Sequence, residues 1–182
     1  MENKQKTVPY EIPAAFRFEP FFERETLWKE EPSEDSISAI LLNDPFYFDM
    51  RFEAGILDKE KPWERPEVYV PIVFEKFNRV SDGLKHLLKR KKMINDKDKI
   101  IQAISFFLLG LYWINKQHVN SLNREDLGFK KLTLKPVNCE ERLLFILQNP
   151  ARYHSFIQLQ QLGEEISKLF YKQAAIANLK KH

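Results

Sequence analysis

The sequence predicts an all-α fold: a single-domain helical bundle with a long helical hairpin, a long C-terminal helix and an extended aromatic N-terminal arm. Three observations predict it. Apolar residues recur at steps of three and four over residues 67–92 and again along 151–179. The stretch AISFFLLGLYWINKQHV (103–119) is apolar nearly all round, as expected of the one helix that a small helical domain encloses. Capping residues punctuate the chain so that five or six helical segments account for most of residues 33–180. A chain of 182 residues suits one domain with room for a sizeable core. With 43% apolar and 30% charged residues, and 15 Phe against 5 Gly, whole-chain disorder and low-complexity fibres are excluded.

The elements follow in order. Residues 1–32 read as an arm packing on the body, because Pro9, Pro13 and Pro20 interrupt any regular helix while Phe16, Phe18, Phe21 and Phe22 supply aromatic contacts. Residues 33–182 then form the helical domain. Ser33 is expected to cap a short helix over 34–42, with acids in its first turn and Ile37, Ile40 and Leu41 at helical spacing. Asp44 is expected to cap a second short helix in DPFYFDMRFEAGIL, with Pro45 at its first position and Gly55 as its stop. LDKEKPWERP is a charged loop. A long helix over about 67–92 carries Val68, Ile72, Val73, Phe77, Val80, Leu84, Leu87 and Leu88, with Pro71 tolerable near its first turn and Gly83 weakening it locally. A short turn leads to the central helix, about 96–115, capped by Asn95 or Asp96, so the two pair as an antiparallel hairpin. Residues 116–137 hold no sustained period and read as loop, with KLTLKPV alternating weakly enough for a short strand pair. Asn138 and Glu141 form a capping-box-like pair opening a helix to Leu147, and Asn149-Pro150 restarts the chain into a last helix over 151–179 with Leu159, Leu162, Ile166, Leu169 and Ile176 on its apolar face.

The central stretch is not a membrane span: fifteen residues from Ile100 to Ile114, interrupted by Gln102 and Ser105, cover too little of a roughly 30 Å hydrocarbon core. The N-terminal MENKQKTVPYEIP lacks the apolar stretch of a signal peptide, and the lone cysteine, Cys139, has no partner for a disulfide. Both point to a cytoplasmic protein.

Four features bear on chemistry. In KHLLKRKKMINDKDK, the cations Lys85, Lys89, Arg90, Lys91 and Lys92 could contact nucleic-acid phosphates; cations at a helix end also complement the helix dipole and are commonly just solvated. Charge is split along the chain, with 9 basic and 15 acidic residues over 1–66 and 20 basic and 11 acidic over 67–182, which could let the arm cover the basic body or equally orient the molecule toward an acidic partner. The histidines and carboxylates show none of the i, i+3 or i, i+4 ligand spacing of a helical metal site, so no metal and no cofactor is expected; Cys139 at a helix start reads as structural before it reads as a nucleophile. In YWINKQHVNSLN, Trp113, Asn115 and His118 mark a corner where an aromatic helix end breaks into a polar turn, either purely structural or beside a small pocket or peptide groove.

IPAAFRFEPFF, NDPFYFDM, KPWERPEVYVPIVFEKF and LYWINKQHVNSL together resemble the YpoC-like proteins of low-GC Gram-positive bacteria. That resemblance implies a housekeeping role near replication or repair, by gene association alone, and supplies no catalytic or ligand residues. The expected function is that of a non-enzymatic interaction or accessory protein with a protein partner. The alternative is a weak, sequence-independent nucleic-acid-binding accessory factor using the 85–99 cluster.

Overall fold

The computed structural model describes residues 10–22, 28–29, 36–56, 58–90 and 96–179. Among them the architecture is helical. A pair of two-residue antiparallel strands, β1 (Tyr10–Glu11) and β2 (Trp28–Lys29), lies at the N-terminal end. Six α-helices follow: α1 (Ile37–Asn43), α2 (Tyr47–Glu53), α3 (Pro66–Arg90), α4 (Lys97–Trp113), α5 (Cys139–Gln148) and α6 (Tyr153–Leu179). Single 3-10 turns occur at Ala14–Phe16, Pro62–Glu64 and Phe129–Lys131.

The hairpin expected from periodicity is α3 against α4, with α6 packed on both and α5 on α6. From Ala103 through Ile114 every residue of α4 and its C-cap is buried, including Phe107, Leu111 and Ile114, so a helix without a polar face sits at the centre. Asp96 caps it, its carboxylate accepting the Lys99 N–H at 3.1 Å. Onto this core the N-terminal segment lays Ile12 and Phe16, with Phe16 and Phe21 both edge-on to Phe46 at 6.0 and 5.7 Å.

Several local expectations are corrected. Ser36, not Ser33, caps α1, accepting the Ala39 N–H at 3.2 Å, while Ser33 lies outside the described residues. Asp44 ends α1 instead of capping α2: its N–H donates to Ile40 O, and Pro45-Phe46 form a turn before α2 starts without a side-chain cap. Asn138 sits at φ +52 and makes no cap bond, because N-cap side chains reach back from an extended backbone and not from a left-handed one. KLTLKPV forms no strand, since the amides of Thr133 and Leu134 are taken by a side chain from the end of α4. On α3 the buried face is Tyr69, Val70, Val73, Phe74, Phe77 and Leu84, leaving Val68 and Leu87 at the surface; on α6 the buried positions end at Ile166, and Ile176 is exposed.

Two helical glycines differ in what surrounds them. A Cβ on Gly163 of α6 would stand 2.2 Å from the Phe77 ring, so this glycine is what lets α6 and α3 approach; nothing lies within 4 Å of the same atom on Gly83. Alanine should therefore act in opposite directions: Gly83→Ala stabilises by up to about 1 kcal/mol through helix propensity alone, whereas Gly163→Ala destabilises because the buried ring must move. Denaturant titration of both variants checks this, and equal shifts of the same sign would refute the α3–α6 packing.

Candidate functional site

The corner after α4 is built around a carboxylate. Asp49 lies on α2 among Phe46, Tyr47, Phe48 and Met50, and is fully buried. Its Oδ1 accepts the indole N–H of Trp113 at 3.2 Å and the backbone N–H of Val119 at 2.6 Å, while Oδ2 is buried without a hydrogen-bond partner. Burial raises its pKa from 3.8 to about 7, against the opposing pull of the Val119 and Trp113 hydrogen bonds, and the nearby Asp44 charge adds to the rise. The carboxylate thus ties α2 to the end of α4 and to the loop beyond it.

Asn115 stitches the same loop from the other side. Its Nδ2 donates to Leu111 O at 2.7 Å and Leu134 O at 2.8 Å, and its Oδ1 accepts the N–H groups of Thr133 at 3.0 Å and Leu134 at 2.8 Å. His118 stands apart from both: its Nε2 is 2.6 Å from Glu53 Oε1, and its ring lies against Phe52 and Trp63, with centroids 4.6 and 5.3 Å away. The three corner residues singled out from sequence thus each have their own partners, Trp113 with Asp49, Asn115 with Leu111, Thr133 and Leu134, and His118 with Glu53.

Two clefts lie elsewhere. One of about 800 Å³ runs between Pro20, Phe21 and Phe22 of the N-terminal segment, Asp44 and Phe46, and the first turns of α4 at Lys97, Gln102 and Ser105. There Gln102 donates to Leu42 O at 2.7 Å and Ser105 to Ile101 O at 2.9 Å, so both polar side chains are engaged within the fold. A smaller cleft of about 290 Å³ lies between α5 and α6, at Arg142, Phe145 and His154; the Arg142 guanidinium there is held by Gln158 at 2.9 Å and Glu165 at 2.9 and 3.1 Å.

Of the basic run, Lys85 is exposed and pairs with Asp82 at 3.1 Å on its own helix. Lys89 and Arg90 fall in the last turn of α3, where only the backbone is described, and Lys91 and Lys92 lie outside the described residues. Cys139 begins α5 but is buried, and burial pushes its thiol up to about 12, the opposite of what an activated thiolate needs. Among the described residues no three His, Cys, Asp or Glu side chains converge as a metal set. The residue of this corner that sequence reasoning missed is its anchor, Asp49. Its signal there is one acid within an aromatic helix, with nothing to name its partners.

Residues 67–178, from the first turn of α3 to the end of α6, match the family described as "YpoC-like protein". A Bacillus subtilis (strain 168) protein named "Uncharacterized protein YpoC" is 34% identical over 146 residues, covering 80% of this chain and 87% of its own length. No solved structure matches.

Asp49 makes stability depend on pH with a definite sign. A carboxyl that titrates at 3.8 unfolded and about 7 folded holds its proton more tightly in the native state, so its contribution is fully present below about pH 4 and is lost as pH rises to about 7. The stability of the parent relative to Asp49→Asn should fall across that window at up to about 1.4 kcal/mol per pH unit, then level off. Denaturation at several pH values between 4 and 8 measures it, and parallel curves would exclude a buried, proton-retaining carboxyl. Separately, Asn115→Leu should destabilise by about 1–2 kcal/mol, because four hydrogen bonds to the backbone are lost, among them those to the half-buried Leu134 N–H and C=O; hydrogen exchange at Thr133 and Leu134 should speed up in that variant.

Proposed function

The chain belongs to the YpoC-like family, and on that footing we propose that it works by binding and not by catalysis, as a cytoplasmic accessory protein that docks the free end of α6 on another protein. One observation carries this reading. The buried positions of α6 end at Ile166, yet the helix continues to Leu179, a further thirteen residues or about 20 Å. Along that extension Tyr171, Ala175 and Leu179 fall at i, i+4 and i+8 on one face, with Tyr171 54% and Leu179 78% exposed and Ile176 also exposed. A helix that presents apolar side chains at this spacing is the form that hydrophobic grooves of partner proteins accept. Phe74 holds the root of the extension, with Phe170 at 5.8 Å and Tyr171 at 6.5 Å between ring centroids.

The placement of the reactive groups supports the same reading. The Cys139 thiol and the Asp49 carboxyl are both sealed in the core, where Asp49 anchors the loop after α4. No helix among the described residues is long and apolar enough to cross a membrane. Lys168 and Lys172 beside the apolar face suit a groove with an acidic rim.

The double variant Ile176→Glu/Leu179→Glu tests the proposal, since both side chains are exposed and lie beyond Tyr171, the last of the ring contacts with Phe74. Affinity capture from a cell extract of a bacterium carrying this family should lose its specific co-purifying protein in the variant, while the melting temperature stays within about 2 °C of the parent's. Retention of the same protein by both forms would refute docking through α6.

A further inference from the structure

Among the described residues some cations are ion-paired and others, Arg79, Lys97, Arg152, Lys168 and Lys172 among them, stand singly outside ion pairs, whereas one loop gathers several unpaired cations in a short stretch. Arg17, Arg51, Lys61, Lys85, Lys99 and Arg142 each sit within 4.0 Å of a carboxylate. The loop 116–135 holds five cations, Lys116, Arg124, Lys130, Lys131 and Lys135, against only Glu125 and Asp126, and none of these five takes part in an ion pair among the described residues.

The fold brings four of the cations to one place. Lys116 lies between Asn115, whose Oδ1 accepts the Thr133 N–H at 3.0 Å, and Gln117, whose Nε2 donates to Lys131 O at 3.2 Å, so the start of the loop runs beside residues 131–133. Lys130 and Lys131 belong to the 3-10 turn that Gly128 opens at φ +64. The Lys135 ammonium donates to Phe129 O at 2.7 Å, which places a further charge on that same turn. All four lysines are exposed. Lys116 is itself a backbone outlier at φ +57, a conformation that glycine or asparagine occupies at lower energy, so a lysine there is held against local preference. The loop beneath is fixed from inside by Val119 N–H to Asp49 and Leu122 N–H to Ala15 O at 2.8 Å, so little backbone entropy remains to be lost when a ligand meets the lysines, whose own side chains still give up rotamer freedom.

We propose that the loop 116–135 is a docking face for the phosphate backbone of duplex nucleic acid, with Lys116, Lys130 and Lys131 as its contacts. A group of unpaired cations on a fixed backbone attracts polyanions and releases their counterions. The loop's large apolar residues, Leu122, Leu127, Phe129 and Leu132, are buried, so it offers charge without an aromatic platform. Single strands are bound through base stacking on such platforms, which leaves the duplex backbone as the fitting ligand and makes the contact independent of sequence. This face shares no residue with α6 or with the basic run at 85–92, and it stands or falls independently of the protein-docking reading.

The test is fluorescence anisotropy of the full chain with a labelled duplex of about 20 base pairs at about 50 and about 200 mM salt. Three phosphate contacts give a slope of about −2.7 in log K against log salt, a loss of roughly 40-fold between the two conditions. The variant Lys116→Asn/Lys130→Gln/Lys131→Gln, in which asparagine tolerates the left-handed backbone, should bind at least tenfold more weakly at the lower salt and with a flattened slope. Should that variant melt early, the single exposed-site variants Lys130→Gln and Lys131→Gln each should still reduce the slope by about one unit. Absence of duplex binding at about 50 mM salt overturns the proposal, as does binding that the loop variants leave intact but that Lys89→Gln/Lys91→Gln/Lys92→Gln abolishes. Tighter binding to a single strand than to the duplex, or binding to anionic phospholipid vesicles but not to the duplex, also overturns it.

Discussion

The fold depends on a helix with nowhere polar to face. Once α4 commits Ala103 through Ile114 to an apolar circumference, every side of it has to be covered, and the rest of the chain is disposed to do so. α3 covers one flank closely because Gly110 carries no side chain: a Cβ there would come within 2.9 Å of the Phe74 ring. α6 closes against both helices through Gly163, and the aromatic N-terminal segment with α2 covers what remains. The helices are held less by their own propensities than by this shared demand for burial, which is the usual source of helix stability in proteins.

An apolar helix also creates a difficulty at its end. Where α4 stops, the chain leaves a dry core without a ladder or a further helix to absorb its backbone N–H and C=O groups, and buried groups of that kind are costly unless bonded. The solution is side chains used as surrogate backbone. Asp49 accepts from Val119, and Asn115 both donates to and accepts from Leu134, pairing as a strand neighbour would. The consequence is a carboxylate whose Oδ2 has no partner, and the raised pKa of Asp49 is the expression of that strain on solvation: the neutral acid is easier to bury than the anion.

Legibility followed periodicity. The hairpin, the central position of α4 and the long last helix are visible in the sequence because burial of one helix face repeats every three to four residues, and the cap at Asp96 is visible because it acts within one turn. Asp49 meets Trp113 and Val119 across 64 and 70 residues, and Asn115 meets Thr133 across 18. Contacts at such separations leave no repeat and no spacing rule, so the corner could be located from Trp113, Asn115 and His118 while its anchor could not. The misplaced caps at Asp44 and Asn138 have a different origin. Both residue types serve turns as well as caps, and the backbone angle that decides between the two is set by how the next segment packs on the core.

Display of residues to solvent is achieved by two physically distinct means. The end of α6 satisfies its own backbone through helical hydrogen bonds, so it can extend past its last buried residue and carry apolar side chains with little support from the body. The loop 116–135 has only a single 3-10 turn of its own and keeps its shape because interior side chains hold it, so the exposed lysines depend on the buried Asp49 and on Asn115 for their arrangement. Surface changes on α6 therefore alter what the helix presents and leave the fold as it was. Changes at the loop's anchors act on fold and surface together, and the two are separable only by substituting the outward lysines while leaving the carboxylate and the amide beneath them in place.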